Sequence, residues 1–347
     1  MKKILLVGEF CNTKDVYFYS NSFVNILKKL GYETKTFNIK PCYFGSKQIG
    51  RLRVFEDLFV NISLKNTVKG LNPDLIFFIK ANNIYAKTLK WIKYYKKSYL
   101  INFYPDNPFV FWNGNSNSNV LKSLPLYDCF LIWSRKLMQI LDSSGCKRSI
   151  YFPFAYDKNL FPVNLPIVEE EQEDYESDVC FIGTWESDRE KWLTELCELM
   201  PDLDLVIWGN LWEENLTKNS ILRGRLRGRA IYFNKMIKAF RSSKIVLNFV
   251  RKQNIDAHNM RTLEVPASGA FLLTQRTKEQ SEELFKEGES VECFSTLGEL
   301  VNKINFYLEN DVVRKTIIEN SKKEVEKYQL EPWLKGLMDE IFHERNN

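Results

Sequence analysis

The chain has 347 residues, 44% of them hydrophobic and 27% charged, and its formal net charge is +5. This length suits two domains, and the composition excludes global disorder. The mild net charge excludes the strongly basic surface that is typical of a nucleic-acid-binding protein. Seven scattered cysteines without CxxC spacing favour reduced thiols over a disulfide framework or a zinc site, and no apolar run approaches the roughly 18 residues that span a bilayer.

The first part of the chain alternates predicted strands with predicted helices. Apolar runs predict strands at residues 2–8, 33–39, 74–80, 99–104, 127–133 and 149–154. Helical spacing of apolar residues predicts helices at residues 21–30, 86–95 and 135–141. This alternation is typical of a doubly wound parallel sheet, so we predict a Rossmann-like N-terminal domain over residues 1–155. The loop at residues 9–20 lacks G-x-G-x-x-G, and a dinucleotide fingerprint is therefore absent.

Two features of this domain have open interpretations. Asp106 directly follows a predicted strand and precedes Pro108. It can deprotonate an acceptor hydroxyl or bind a sugar, or it can form an Asx turn. The predicted helix at residues 87–97 interleaves lysines with aromatics. That pattern fits peripheral contact with an anionic membrane, and it equally fits a core-facing aromatic stripe with solvated lysines behind it.

A second α/β domain is predicted after a polar linker. Prolines and an acidic run at residues 169–176 predict the linker over residues 156–177. Residues 178–328 then predict a second Rossmann-like domain, with strands at residues 178–183, 203–209, 245–250 and 270–273 and helices at residues 191–200, 232–240, 297–309 and 312–328. The basic run from Arg223 to Arg229 is either a flexible loop near a nucleotide or plain surface, and we do not expect nucleic acid as a partner.

A polar segment between the last two strands is the strongest functional signal. It contains Asp256, His258, Asn259, Arg261 and Glu264 and opens a short helix. In an open α/β sheet, loops at the carboxyl ends of strands line the ligand crevice. Cations and backbone N–H groups bind phosphates there, and a carboxylate accepts the two hydroxyl hydrogens of a vicinal diol. The segment therefore predicts a phosphorylated, polyhydroxylated ligand.

Three segments carry a family resemblance: NMRTLEVPASGAFLLT at residues 259–274, ELFKEGESVECF at residues 283–294, and Glu299-Leu300. They resemble the carboxyl-terminal domain of CgeB-like (spore-maturation-protein type) glycosyltransferases of the GT-B fold. The resemblance covers most of the chain and is clearest after residue 178. It implies two Rossmann-like domains facing each other across a cleft, the first for the acceptor and the second for a nucleotide-sugar donor. It also implies a C-terminal helix, residues 329–347, that packs back on the N-terminal domain.

The resemblance assigns roles to residues near the donor. Glu264 would hold the ribose, and Asp256, eight positions earlier, would touch the donor sugar and favour retention of configuration. Arg261 would neutralise the diphosphate that leaves, with Asn259 beside it at the helix start. His258 would either contact the diphosphate or cap the helix. Together with Asp106, the residues Asp256 and Arg261 are the predicted catalytic set.

A second phosphate contact is predicted at the start of the second domain. Gly183-Thr184 resembles the family's diphosphate-facing turn. In such a turn, glycine lets the backbone approach an anion. Arg189 would add a bidentate clamp, whereas the alternative is a solvent-facing arginine.

These features predict a glycosyltransferase that uses a UDP-, GDP- or dTDP-sugar as donor and a saccharide or lipid-linked saccharide as acceptor, in bacterial surface polysaccharide or glycoconjugate synthesis. We expect no cofactor and no metal, since the chain has only two histidines and no D-x-D in a loop after a strand. We expect a cytoplasmic protein that contacts the inner face of the membrane only peripherally. The alternatives are a nucleotide-sugar 2-epimerase on the same fold and a non-catalytic nucleotide or carbohydrate binder.

Overall fold

The computed structural model describes residues 2–10, 19–40, 50–111, 114–162, 165–166 and 174–344, except for the side chains of residues 50–53 and 344. The chain divides into two compact units. The first comprises Met1–Pro153, Lys252–Ile255 and Glu331–Asn347, and the second comprises Phe154–Arg251 and Asp256–Leu330. Each unit is built on a six-stranded sheet in which all paired strands are parallel. The predicted α/β architecture with two parallel sheets is confirmed.

The sheet of the first unit consists of β1 Lys3–Gly8, β2 Glu33–Asn38, β3 Leu75–Ile79, β4 Tyr99–Tyr104, β5 Cys129–Ile132 and β6 Ser149–Tyr151. The strand order is β2-β1-β3-β4-β5-β6. Strands β3 and β5 are buried along their whole length, which requires cover on both faces of the sheet and explains their uninterrupted apolar sequences.

Helices flank this sheet: α1 Tyr19–Lys29, α2 Gly50–Leu71, α3 Ala86–Lys96, α4 Ser118–Ser123 and α5 Arg135–Ser143. Aromatic rings fill the space between α1 and the sheet. Phe23 lies 5.4 Å from Phe77 and 5.8 Å from Phe103, between ring centroids, and Phe103 lies 5.5 Å from Phe152. Helix α2 is long and has no counterpart among the sequence predictions.

The sheet of the second unit consists of β7 Ser177–Ile182, β8 Leu205–Trp208, β9 Leu226–Gly228, β10 Ser243–Asn248, β11 Leu272–Gln275 and β12 Glu292–Phe294. The strand order is β12-β11-β10-β7-β8-β9. The chain therefore first builds the sheet outward from β7 to β9, and then returns to the other side of β7 and continues outward through β10, β11 and β12.

The helices of the second unit are α6 Ser187–Leu199, α7 Trp212–Asn215, α8 Phe233–Ser242, α9 Met260–Ala267, α10 Leu297–Glu309 and α11 Asp311–Val325, with a π-helix at Glu279–Leu284. Helix α6 begins four residues earlier than the sequence predicts. Arg189 consequently lies in the first turn of this helix and not on the preceding loop.

The last helix, α12 Leu330–Glu344, joins the first unit from Glu331 onward. Its Trp333 ring lies 6.0 Å from the Phe152 ring, and its Phe342 ring stacks on Tyr32 at 5.5 Å. Pro332 occupies the first turn, where its missing N–H removes no intrahelical hydrogen bond.

Some predicted features fall outside the described residues. These are Cys11, Cys42, most of the loop at residues 9–20, and residues 163–164 and 167–173 of the predicted linker with most of its acidic run. The cysteines within the described ranges form no disulfide: Cys129, Cys146, Cys180, Cys197 and Cys293. None of the described helices combines the length and the hydropathy that crossing a bilayer requires.

Candidate functional site

The second sheet has a topological switch point between β7 and β10. Strand β7 continues to β8 on one side, whereas β10 continues to β11 on the other. The loops that leave the carboxyl ends of β7 and β10 therefore diverge, and a crevice opens between them where α/β proteins bind ligands. The loop after β7 begins with Gly183-Thr184, and the loop after β10 contains Arg251.

Two glycines allow the strand-end loops to approach each other closely. A Cβ atom at Gly209 would lie 1.9 Å from the Gly183 carbonyl oxygen, and a Cβ atom at Gly183 would lie 2.7 Å from the Phe181 ring. The indole N–H of Trp212 donates to the Gly183 carbonyl oxygen at 2.8 Å and holds the two loops together. Glycine is thus required at both positions by packing. The Gly183 N–H also donates to the Trp208 carbonyl oxygen at 2.9 Å, so both backbone polar groups of Gly183 have partners within the second unit.

Arg189 points back into this loop from the first turn of α6. Its Nη1 donates to the Thr184 carbonyl oxygen at 2.7 Å and lies 3.7 Å from the Glu186 carboxylate. Burial lowers the pKa of Arg189 to about 10, the Glu186 carboxylate opposes this shift, and the nearby cations Arg251 and Arg261 add to it. Arg189, Arg251 and Arg261 thus lie near one another, and a cluster of cations favours binding of an anion.

Arg251 belongs to the polar segment that the sequence expects to line a ligand crevice, although no separate role was predicted for it. It forms an ion pair with Glu186, the carboxylate that also lies next to Arg189. Since Glu186 is shared, positive charge exceeds negative charge at this edge of the sheet. The available sequence signal was the position of Arg251 directly after an apolar strand.

The start of α9 is fixed to the sheet by an amide network. The side-chain oxygen of Asn259 accepts from the Thr262 N–H, and Thr262 Oγ1 accepts from the Asn259 N–H, which together form a capping box. Asn248 on β10 exchanges two amide hydrogen bonds with Asn259, at 3.2 and 3.0 Å, and donates to Thr274 Oγ1 at 2.9 Å. The positive end of the α9 dipole is consequently held at the carboxyl end of β10.

Arg261 and Glu264 lie on the first turns of α9 and form an ion pair. Nε of Arg261 also donates to the carbonyl oxygen of Ile182, the last residue of β7, at 3.3 Å. The Glu264 side chain is nearly buried at 4% residue exposure. The structure thus brings Gly183, Arg189 and the Arg261–Glu264 pair together at the switch point of one unit.

Asp256 lies in the same unit, in a left-handed backbone conformation with φ of 58°. Its carboxylate accepts from the Lys278 N–H at 2.8 Å and so ties the loop after β10 to the segment before the π-helix.

His258 is fully buried and has partners at both ring nitrogens. The Phe154 N–H donates to Nε2 at 3.1 Å, and Nδ1 lies 2.9 Å from Glu279 Oε2, which also accepts from the His258 N–H at 3.0 Å. Because Nε2 accepts, Nδ1 carries the proton that it donates to Glu279. The residue that caps α9 is Asn259, so the helix-capping role considered for His258 is corrected.

Asp106 lies in the first unit, just beyond β4. Its carboxylate forms an ion pair with Lys80 at 2.6 Å, and Lys80 directly follows β3. The Asx turn in this loop is made by the neighbouring Asn107, whose Oδ1 accepts from the Phe109 N–H at 2.9 Å. An asparagine at this edge joins the end of β4 to the loop after β3: Tyr104 Oη donates to Asn82 Oδ1 at 2.7 Å. Sequence reasoning missed Lys80, although a lysine ending an apolar strand was a visible signal.

A cavity of about 260 Å³ lies at the carboxyl end of β8, lined by Gly209, Asn210, Leu211, Trp212, Glu213, Glu214, Leu226, Gly228 and Arg229. The basic run beside it is a 3-10 turn at Ile221–Arg225 followed by β9, rather than a loop. Within this run Arg223 donates to the Thr217 carbonyl at 2.8 Å and Arg225 to the Pro201 carbonyl at 2.7 Å, so both side chains stabilise the fold of the unit.

Among the described residues, no three His, Cys, Asp or Glu side chains are grouped as a metal site requires.

Two six-stranded parallel sheets covered by helices, with the site residues at the switch point of the second sheet, define the GT-B class of fold. Residues 189–333 match the family described as "Glycosyl transferase-like". No protein with a curated description matches the chain by sequence.

Solved structures resemble the chain over its whole length. Sucrose-phosphate synthase from Thermosynechococcus elongatus is 14% identical with a TM-score of 0.73, and the match covers 99% of both chains. Anabaena HepE in complex with UDP-glucose is 14% identical with a TM-score of 0.66, covering 99% of this chain and 100% of the other. A putative UDP-N-acetylglucosamine 2-epimerase from Listeria monocytogenes is 12% identical with a TM-score of 0.61, covering 100% and 98%. At these identities the likeness establishes the fold alone.

Proposed function

We propose that the protein is a glycosyltransferase that moves the sugar of a nucleotide-diphosphate sugar to an acceptor hydroxyl. The observation that carries this proposal is the environment of Arg189, a buried guanidinium with a lowered pKa that shares the Glu186 carboxylate with Arg251. A diphosphate supplies the negative charge that this group lacks, and the N-terminus of α9 supports the same anion. The family match over residues 189–333 points to the same chemistry.

A UDP-sugar is the donor that we propose. Anabaena HepE, which shares the fold, has been solved with UDP and with UDP-glucose. The cavity at the end of β8 adjoins Gly183 through Trp212 and gives the nucleoside room next to the diphosphate. Glu264, about one turn into the neighbouring helix α9, would accept the ribose hydroxyl hydrogens.

In the reaction, the bond between the sugar anomeric carbon and the diphosphate oxygen breaks while the acceptor oxygen bonds to that carbon. Negative charge grows on the diphosphate, so Arg189 and Arg261 would stabilise the transition state more than the ground state. These cations would take the place of a metal ion. We propose retention of configuration with Asp256 near the donor sugar. Inversion would instead need a base for the acceptor proton, and Asp106 is the candidate.

The acceptor is proposed to be a saccharide or lipid-linked saccharide in surface polysaccharide or glycoconjugate synthesis. Asp106 and Lys80, at the carboxyl edge of the first sheet, provide the hydrogen-bonding groups that a sugar hydroxyl requires. This assignment rests on the chemistry of the two side chains and on the resemblance in fold.

The decisive experiment combines a panel of nucleotide diphosphates with an assay for UDP release. Ligand at 100 times its dissociation constant should stabilise the fold by about 2.7 kcal/mol, seen as a raised Tm. Arg189→Ala should lower kcat/KM for the donor by roughly a hundredfold, since a charged hydrogen bond to the leaving group is lost. Lys191→Ala, on the exposed side of the same helix, is the matched control and should leave kcat/KM unchanged. EDTA should leave the rate unchanged.

The function is contradicted if no nucleotide diphosphate raises Tm and none is released from a UDP-sugar with any saccharide acceptor. The anomeric configuration of the product, read by NMR, then separates retention from inversion.

A 2-epimerase is the second candidate, because a structure titled as a putative UDP-N-acetylglucosamine 2-epimerase shares the fold. An epimerase consumes its donor with no acceptor present, whereas a transferase needs one. NMR of UDP-N-acetylglucosamine incubated with the protein alone distinguishes them.

A further inference from the structure

The outward face of helix α2 is apolar in its first half. Five side chains are between 39% and 64% exposed there: Val54, Phe55, Leu58, Phe59 and Ile62. Their spacing places them along one side of the helix, and we refer to them as the apolar ridge. On the opposite side Val60, Leu64 and Val68 are buried against the unit. The exposed face of the second half, in contrast, is polar, with Ser63, Asn66 and Lys69.

The ridge extends past the edge of the first sheet. Helix α2 has 22 residues and spans about 33 Å, whereas β3, which follows it in the opposite direction, has 5 residues and spans about 17 Å. The Asn61 side chain donates to the Asn83 carbonyl and accepts from the Tyr85 N–H, both at 2.8 Å, in the loop beyond the carboxyl end of β3. The residues of α2 before Asn61 therefore extend beyond the carboxyl edge of the first sheet, the edge at which Asp106 and Lys80 lie. The ridge side chains on this part of α2 do not pack on the sheet.

The basic helix α3 begins level with the C-terminal end of the ridge, since the Tyr85 N–H directly before it donates to the Asn61 side chain. Lys65 and Lys69 of α2 lie over the Trp91 ring of α3 at 5.6 and 5.5 Å, so α3 lies beside the polar second half of α2. Helix α3 has four lysines and no acidic residue, and Tyr94 and Tyr95 on its surface are exposed. Lys87 and Lys90, in the first turns of α3, are the lysines of this helix nearest to the ridge. An apolar ridge next to lysines complements an anionic bilayer, in which phosphates lie above hydrocarbon. A second copy of the chain would place the same lysines against each other, so like charges oppose self-association through this face.

We propose that the apolar ridge of α2, together with Lys87 and Lys90 of α3, docks the first unit on an anionic lipid surface. The ridge side chains enter the boundary between headgroups and acyl chains, at a depth of about 5–10 Å, and the lysines bind the headgroup phosphates. Docking in this way holds the carboxyl edge of the first sheet at the headgroup layer. A lipid-linked saccharide presents its hydroxyls at that level. The docking itself does not depend on the proposed sugar transfer.

The test is flotation of the full chain with vesicles of phosphatidylcholine alone and of phosphatidylcholine with phosphatidylglycerol. The parent protein should float with the anionic vesicles and remain behind with the neutral ones. The double variant Phe55→Ser and Phe59→Ser should lower the partition coefficient by about tenfold or more, because two aromatic side chains no longer leave water. Both residues are exposed, so the variant keeps its Tm.

The matched control is Phe306→Ser with Val312→Ser, two exposed apolar residues of the second unit at 47% and 79% exposure. This variant should float like the parent. Lys87→Glu with Lys90→Glu, on exposed positions of α3, should weaken flotation, as should added salt.

Three results overturn the docking proposal: no flotation with anionic vesicles, equal flotation of the Phe55/Phe59 variant and the parent, or a dimer in light scattering that this variant dissociates. The last result would assign the ridge to a second copy. Unchanged UDP affinity of the same variant separates a failure of docking from a failure of the donor site.

Discussion

The Glu264 carboxylate has one partner in the protein, Arg261, and would have a second one, the ribose of the nucleotide, in the proposed complex. This carboxylate pairs with Arg261, which also bonds the end of β7. A carboxylate offers about four lone-pair positions, so one guanidinium contact leaves capacity for a ribose diol. The ion pair then orients the carboxylate before the nucleotide arrives. It also gives Glu264 a structural role, and a test of ribose binding must separate the two roles.

Removing this carboxylate should weaken UDP binding and also abolish the preference for ribose. A charged hydrogen bond contributes roughly 1.5–3 kcal/mol, so Glu264→Ala should raise the Kd of UDP by about ten- to a hundredfold. If Glu264 binds the diol, the parent should bind UDP more tightly than 2′-deoxyuridine diphosphate, and Glu264→Ala should bind the two alike. Isothermal titration with both ligands measures this ratio.

Glu264→Gln is the companion variant, because it keeps the size of the side chain and its ability to accept from Arg261. A variant that weakens UDP and its deoxy analogue by equal factors, leaving the preference intact, would assign Glu264 to the support of Arg261 alone.

The sequence predicted most of these residues because their signals were local. Asn259 and Glu264 lie within one short motif, and Gly183 directly follows an apolar strand. The individual roles of Arg251 and Lys80 were missed since they depend on partners far along the chain, Glu186 and Asp106. The buried contacts of His258 with Phe154 and Glu279 were hidden for the same reason.

At the scale of elements, a charged cluster joins β11, β12 and α10. Arg276, just after β11, forms ion pairs with Glu287 and Glu299, and Lys303 on α10 pairs with Glu292 of β12 at 2.6 Å. The hydrogen bond from Arg276 lowers the pKa of Glu299 to about 2 from its usual 4.5, and Arg276 also lowers the pKa of Glu287. The ion pairs of this cluster therefore connect the ends of β11 and β12 to helix α10.

This cluster should make the second unit sensitive to acid. A carboxyl whose pKa is lower in the folded state stabilises the fold above its unfolded pKa and loses that contribution as the pH falls through the folded value. The contribution of Glu299 should therefore be complete above about pH 5 and decline from about pH 4.5 to about pH 2. Urea unfolding should show Glu299→Gln less stable than the parent at pH 7, with the difference shrinking as the pH is lowered to 3.

Glu289→Gln is the control for the acid experiment, since Glu289 forms an exposed pair with Lys286 on the surface of the same unit. Its unfolding free energy should match the parent at every pH. A gap between Glu299→Gln and the parent that stays constant with pH would disprove the assigned pKa.

Elements differ in how well their sequences predict them. Strands buried on both faces, such as β3, read directly as apolar runs. Helix α2 was missed because its exposed side is apolar in the first half, which removes the contrast between faces on which a helical pattern depends. Strands β9 and β12 have three residues each, too few to show a period. The helix that the sequence analysis missed, α2, carries the surface for which we propose a lipid partner. A large exposed apolar face on a helix indicates that this face binds a partner.

At the scale of the whole molecule, the chain ends in the unit in which it began. Helix α12 belongs to the first unit from Glu331 onward, and Leu334 and Met338 on this helix are fully buried. The core of the first unit is thus completed by residues about 180 positions after Pro153, where its main segment ends.

This connection predicts that damage to α12 unfolds the first unit selectively. Leu334→Ala with Met338→Ala should lower the stability of that unit, because each truncation of a buried side chain costs about 2–5 kcal/mol. Hydrogen exchange should show lost protection in β1, β3 and β4 with little change in β7 and β10. UDP should still raise the Tm of the second unit. Lys335→Ala, on the exposed side of α12, should behave as the parent. Equal loss of protection in both sheets would instead mean that the two units unfold as one cooperative body, and that α12 stabilises both.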